Sequence, residues 1–504
     1  MKRSLLHVLL LLPMMMPDRL GAQTSHLVAV EENGPRAERI NLVFLSEGYT
    51  EAELPNFAND VTQAVSFLFT HEPWQQYRSY CNIYRIEVAS NQSGCDYGSA
   101  GVIRDTYFSS GFNTPSVPQL LTLAGTGGGR AYDLLDALVP EFDVTTVLVN
   151  DTKYGGSGGS IAVASVNWQS AAIVEHEIGH SFAGLADEYD VDYPIYTPYE
   201  LPNNTAQTSR ALVRWNYWID DPTPAPTPET ADYDSTVGLF EGSMYRTTGW
   251  SRPHYNSLMR SLNRPCGAVN REQFVLQYYS RLSPVEGASP ATAMSYVTSS
   301  QTLDFTVTPK VPSSGVALAT TWKIDGNPQP LATSNTFNPL SDLLGNGVHT
   351  VSATVRDPTP FVRFDPSKLL EQVVTWNLTL TNQLPNTAAS WLATYGSATA
   401  APANDGLQNL VKYALALNPA LVASLGQHPT ASTAAPYLTL NVPRRTKRTD
   451  VDYIVEVSSD LTTWSSGPDN TVTLQDDDTL LAVRDATPIS GTGRRFIRLK
   501  IQER

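Results

Sequence analysis

Charged residues are scarce in this chain: Asp, Glu, Lys and Arg together make up 16% of its 504 residues. Cysteine is scarcer still, with three in all, too few for a disulfide framework to stand in for a hydrophobic core. Beyond the amino terminus no segment approaches the roughly 20 apolar residues of a transmembrane helix, so no membrane span is expected. Basic residues are outnumbered by acidic ones, 34 against 49. The resulting charge of −15 argues against nucleic acid or anionic lipid as a partner and favours solubility. Glycine and proline, at 32 and 35, are plentiful, a mix suited to strand-rich extracellular modules. A chain this long exceeds a single core and implies about three domains; a monomer is expected.

The first residues read as an export signal. Lys2-Arg3 precede an apolar run from Leu5 to Met16 broken only by His7 and Pro13, and Leu20-Gly21-Ala22 offers a small-residue cleavage site. The expected signal peptide is residues 1–22, and the mature protein is expected to be secreted or at the extracellular surface. Cleavage after Ala22 removes Lys2, Arg3, Asp18 and Arg19, a net of +2, taking the charge from −15 to −17. In an oxidising compartment Cys81 and Cys95, which enclose a short polar stretch, are expected to form a disulfide, leaving Cys266 as a buried thiol.

The chemistry concentrates between residues 171 and 189. His176 and His180, four apart on a helix, lie on one face about 5–6 Å apart at Cβ, so both imidazoles can converge on one zinc ion. Glu177 projects beside the metal and is placed to take a proton from a water whose pKa the metal lowers toward roughly 7. Gly184 can end the helix in a left-handed conformation and turn the chain back. Asp187 is then the natural third ligand, with Glu188 beside it as a competitor. Ile161 to Val166, then Ala171 to Ile178, read as a strand followed by a buried helix, where ionisable groups are costly without partners.

This block is similar to the M64 family of secreted bacterial metallopeptidases, whose members include immunoglobulin A peptidases. The pattern H-E-x-G-H-x-x-x-x-L-x-D-E-Y is met at His176, Glu177, Gly179, His180, Leu185, Asp187, Glu188 and Tyr189. Asn41 to Thr50 resembles the family's opening strand and turn, Tyr154 to Gly159 its glycine-rich run, and Pro253 to Arg260 a Met-turn of metzincin-like peptidases. The resemblance spans residues 27 to 282. It implies one zinc per chain, Met259 packed beneath the ligands, and peptide hydrolysis with Glu177 as general base. Metzincins at large take their third ligand six residues after the second histidine, where this chain has Ala186. Donors to the tetrahedral oxyanion are sought among Tyr255, His254 and Tyr189, since the tyrosine some metzincins use two residues after the methionine is here Ser261.

The expected architecture is an α/β (α+β) metzincin-like catalytic domain over residues 23–283, followed by all-β sandwich modules. Strands are expected at Ile40 to Leu45, Ile83 to Val88 and Val144 to Val149, with a helix through Phe57, Val61, Ala64, Val65 and Leu68. Asp220 to Thr230, with alternate prolines, reads as a stiff surface loop. Period-two runs at 302–307, 317–324, 347–355 and 373–380 predict an immunoglobulin-like β-sandwich over 284–382, with Trp322 in its core. A helical linker over 383–420 and a carboxy-terminal β module over 421–504 resemble those of secreted proteins of the Verrucomicrobia type. Relatives of the linker carry an acidic calcium loop; only Asp405 remains of it here, which argues against calcium.

These readings point to a secreted zinc endopeptidase acting on an extracellular protein, such as an immunoglobulin or mucin-like glycoprotein. The alternative is a cell-surface protein that binds glycan or protein and keeps a structural or non-proteolytic zinc, including one that removes ester or acetyl groups. An intact Glu177 has no task in a structural site, and structural zinc usually has four protein ligands with more cysteine.

Overall fold

The run Ile40 to Leu45 offers only Asn41 as a polar side chain, a pattern suited to an inner strand of a parallel sheet covered on both faces. In the computed structural model it forms such a strand, buried throughout. The structure describes residues 24–504 apart from 115, 194–196, 293–294, 299–302, 331, 340–343, 345–346, 381–384, 386, 435, 445–446 and 490–492. The expected signal peptide lies outside the described residues. The chain divides into two units: residues up to 281 together with 361–364, and residues 282–360 with 365–504.

In the first unit the elements run β1 (Ser25–Glu31), β2 (Ile40–Glu47), α1 (Leu54–Leu68), β3 (Cys81–Val88), β4 (Ser110–Gly111), β5 (Thr122–Leu123), α2 (Gly127–Leu138), β6 (Val144–Val149), β7 (Gly156–Ser157), β8 (Ala162–Ser165), α3 (Ser170–Ser181), β9 (Val237–Glu241), β10 (Ser251–His254) and α4 (Ala268–Arg281). Six strands form one sheet in the order β1-β3-β2-β6-β8-β7. The inner four are parallel, and β1 and β7 close the two edges antiparallel. Side chains alternate across β2: Val43 and Leu45 share a core with Ala131 and Leu135 of α2, so Leu42 and Phe44 turn to the other face, where α1 and α3 pack.

The entry to α1 is set by a capping box in which Thr50 and Glu53 bond reciprocally. Phe57, Val61, Ala64, Val65 and Leu68 then bury one stripe of the helix, the spacing that the sequence displays. Glu47, at the end of β2, accepts from Thr106 Oγ1 and from the backbone N–H groups of Phe108 and Ser110 at 2.7–2.8 Å, so it holds the 106–110 segment in place. Gly48 follows with φ +70°, and a Cβ there would lie 2.1 Å from the Gly94 carbonyl oxygen; only glycine fits.

The expected disulfide is not formed: Cys81 and Cys95 are both free and buried. The stretch between them is mostly strand rather than loop. At roughly 3.3 Å per residue, β3 carries the chain on the order of 20 Å from Cys81, whereas a disulfide needs Cα atoms within about 7 Å. The Cys81 thiol lies against the Tyr77 carbonyl and the Tyr278 hydroxyl, and that of Cys95 against Asp151. Cys266 is buried, as expected.

The second unit is built from sheets. Val285–Ser289, Phe305–Pro309 and Thr336–Phe337 form one; Ser295–Thr298, Ala319–Ile324, Asn327–Pro328, Gly347–Arg356 and Glu371–Leu380 form another. Both contribute to one core around Trp322 and Trp376, whose rings stack 5.8 Å apart; Trp322 is thus a core residue. Two short helices, Ala388–Tyr395 and Asn409–Ala414, precede a four-stranded and a two-stranded sheet at the carboxy terminus. Asp405 is paired with the ammonium of fully buried Lys412 at 2.7 Å. The protein's own cation therefore satisfies the one acid at which calcium was to be considered. Among the described residues no helix is long and apolar enough to cross a membrane.

Candidate metal centre

Helix α3 follows β8 closely and is buried continuously from Ala172 to Gly179, so its histidines face protein and cleft rather than bulk solvent. After His180 the chain turns at Gly184, whose φ is +63°. The Gly184 N–H still donates to the His180 carbonyl and that of Leu185 to Gly179, and the returning strand of chain brings Asp187 to the two imidazoles. His176 Nε2 lies 3.0 Å from Asp187 Oδ1 and 3.2 Å from His180 Nε2, and His180 Nε2 is 3.3 Å from Asp187 Oδ1. Ligands about 2.0–2.1 Å from a tetrahedral metal are roughly 3.3 Å apart, so these three atoms match one face of such a site. Each Nδ1 is directed to a backbone carbonyl, His176 to Leu258 at 3.0 Å and His180 to Leu185 at 2.7 Å. That choice of tautomer leaves the Nε2 lone pairs for a metal. His176, His180 and Asp187 can therefore hold a metal ion.

The electrostatics of the triad are strongly coupled. Burial opposes charge on His180, but adjacent Asp187 outweighs it and raises the imidazole to about 9. Burial likewise works against ionised Asp187, yet the two imidazoles hold it well below the ordinary carboxylate range. Glu177 is different. It is buried with no hydrogen-bonded cation, and desolvation raises its pKa, the direction that suits a group that must accept a proton and later release it. Its carboxylate stands against the glycine-rich run: a Cβ on Gly156 would lie 3.0 Å from Oε1.

Glu188, the competitor for third ligand, points elsewhere. It is fully buried and accepts from Asn203 Nδ2, Asn270 Nδ2 and Ser257 Oγ at 2.8–3.0 Å, so it ties the ligand loop to α4 and to the 257–259 turn. Met259 has no exposed surface, and a Cβ on Gly179 would meet its sulfur at 2.7 Å. The glycine between the two histidines thus lets Met259 pack directly beneath them. Its carbonyl accepts from the Glu188 N–H at 2.8 Å.

The cleft above this centre has a volume of about 920 Å³. Glu177 and the three candidate ligands open into it, along with Tyr154, Tyr189 and Tyr245. His254 and Tyr255 do not line it, which corrects their expected role as oxyanion donors. Strand β10 buries the His254 ring against Gly267, while the Tyr255 ring lies beside Phe240 and its carbonyl accepts from Arg252 and Arg260. Tyr189 is in the cleft, its ring stacked on His176 at 6.0 Å.

His254 has a consequence of its own. Neither ring nitrogen has a hydrogen-bond partner among the described residues, and burial, with Arg271 and Arg252 nearby, depresses its pKa to about 3. A depressed folded pKa means stability that is complete above the unfolded value of about 6.5 and lost as pH falls toward 3. At pH 5 the loss is about 2 kcal/mol. Chemical denaturation in chelator should show that loss between pH 7.5 and pH 5 in the wild type, and a smaller one in His254→Leu. An equal loss in both would show that His254 is not its source.

Two supporting residues had no signal in the sequence. Asn203 donates to the Ala186 carbonyl and accepts from the Ala186 N–H while also donating to Glu188, so one amide clamps the ligand loop. Tyr245 donates to Asp187 Oδ2 at 2.9 Å. Met244 and Tyr245 both have positive φ, 49° and 59°, a conformation unfavourable for such side chains. Backbone bonds from Met244 N to the Asp187 carbonyl and from Tyr245 N to the Tyr189 carbonyl hold it.

Residues 28–234 match the family model for IgA peptidase M64. This segment is similar to the M64 peptidases. The match takes in the helix, the ligand loop and the glycine-rich run, and covers about two fifths of the chain. Met259 and the turn beneath the histidines lie beyond it. No curated protein matches the chain. M64 peptidases are generally metallopeptidases, and the His176, His180 and Asp187 group agrees with that similarity.

Proposed function

We propose that this protein is a secreted zinc endopeptidase, metzincin-like in its catalytic domain, that hydrolyses peptide bonds of an extracellular protein or glycoprotein. One observation carries the reading: three ligand atoms 3.0–3.3 Å apart share a cleft with a buried carboxylate that is not one of them. A bound zinc ion supplies Lewis-acid polarisation of the scissile carbonyl and water acidified toward a pKa of about 7. Glu177 takes the proton of the attacking water and delivers it to the leaving amine as the C–N bond breaks. Asp187 and the two imidazoles are kept in register by Tyr245 and by the carbonyls of Leu258 and Leu185. The lack of side chains at Gly156 and Gly158 lets the glycine-rich run lie close against Glu177 and His180. The amino-terminal export signal supports an extracellular substrate.

The test is proteolysis by the purified mature protein of casein, immunoglobulin and mucin, with chelator and with zinc restored. Cleavage that chelator abolishes and zinc restores is the expected result. Cleavage indifferent to chelator, or none of any protein offered, would overturn the reading.

A further inference from the structure

Three tyrosine hydroxyls stand at the centre, and their engagements differ. Tyr245 is committed to Asp187 Oδ2. The hydroxyls of Tyr154 and Tyr189 make no hydrogen bond among the described residues, although both side chains enter the cleft that holds Glu177. They come from different walls. Tyr189 follows the ligand loop and is fixed by its stack on His176, the planes inclined by 23°. Tyr154 precedes Gly156, the residue against which Glu177 packs, and is 41% exposed at the cleft surface. The Tyr189 ring is therefore anchored beside His176, Tyr154 lines the same cleft, and both hydroxyls remain available.

A phenol ordinarily holds its proton up to a pH of about 10, so over the working range of a hydrolase both hydroxyls are donors and not bases. In peptide hydrolysis such donors matter at one point. When the water oxygen bonds to the carbonyl carbon and its proton passes to Glu177, the C=O π pair moves onto the carbonyl oxygen, which becomes an oxyanion. When the C–N bond breaks, the π bond re-forms, the bonding pair stays on nitrogen, and the proton held by Glu177 joins it.

We propose that Tyr154 and Tyr189 are the paired hydroxyl donors that stabilise this tetrahedral intermediate, a role that rests on the peptidase reading above. The Met-turn position that serves some metzincins is a serine here, Ser261, and the two cleft tyrosines supply the donors from other elements. Donors aimed at a developing oxyanion act more strongly on the transition state than on bound substrate.

The test uses the full mature protein with its metal and one cleaved peptide, comparing wild type, Tyr154→Phe, Tyr189→Phe and the double variant. Each single change is expected to lower kcat by roughly 10²-fold, leaving KM and bound metal unchanged, and the double change more than either alone. The second readout is affinity for a phosphinic peptide, a stable tetrahedral analogue. It should fall by the same factor as kcat/KM, while affinity for the cleavage-product peptide holds. If the wild type cleaves and either single variant keeps the wild-type kcat, the pairing is wrong. Loss of product-peptide affinity in step with phosphinic-peptide affinity would equally overturn it, since the tyrosines would then serve ground-state binding. No cleavage by the wild type would overturn the peptidase reading, and this proposal with it.

Discussion

Replacement of Glu177 by glutamine is expected to leave the metal and the fold intact while lowering turnover by roughly 10² to 10⁴. The amide has the carboxylate's shape and fits the same space beside Gly156, but it cannot accept the proton of the attacking water. The metal triad does not include Glu177, so zinc measured by elemental analysis should remain at one per chain. The acid limb of the wild-type pH profile, which belongs jointly to Glu177 and the acidified water, should be missing from any residual rate. Glu177→Gln that retains zinc and cleaves at the wild-type rate would exclude Glu177 as the base.

The adjacent acids Asp187 and Glu188 are expected to fail in different ways. Asp187→Ala removes one of three ligand atoms, so it should weaken metal binding by more than the roughly 10- to 100-fold typical of losing an outer-shell partner. Glu188→Ala should instead destabilise the protein whether or not metal is present. Its three donors, Asn203, Asn270 and Ser257, would be left buried without their acceptor, at a cost on the order of 3 kcal/mol. Thermal denaturation with and without chelator, together with metal titration, separates the two. Metal loss in Glu188→Ala with unaltered stability would move the third ligand to Glu188.

Why one of these neighbours was ambiguous from sequence is a matter of range. The spacing of His176, Glu177 and His180 is local: a single helix brings the histidines onto one face and sets the acid beside them. Gly184 is also a local signal, since its left-handed turn depends on the absence of a Cβ. The choice between Asp187 and Glu188 depends on residues far along the chain. Tyr245 draws Asp187 into the site, while Asn203, Ser257 and Asn270 draw Glu188 away from it. No pattern within the motif foretells those partners.

The same distinction explains the misplaced residues. His254 and Tyr255 stand close to Met259 in sequence, but the course of β10 and the turn after it directs their rings away from the cleft. Tyr154 was visible only as part of a glycine-rich run; its hydroxyl gains meaning because β7 lies beside the end of α3. The expected Cys81–Cys95 pair failed because a short sequence interval was taken for a short distance, and an extended strand separates residues as efficiently as the backbone permits.

The sequence by itself determined the inner strands of the first unit, the amphipathic helix α1, the face of α3 that carries both histidines, the turn at Gly184 and the core placement of Trp322. Each follows from hydrophobic periodicity or from one residue's backbone freedom, over a few consecutive positions. Only the tertiary structure decided which acid faces the histidines, which tyrosines enter the cleft, why Gly179 must be a glycine, and that the cysteines remain apart. Those outcomes depend on contacts between segments tens of residues apart, where sheet order and side-chain packing settle which groups meet.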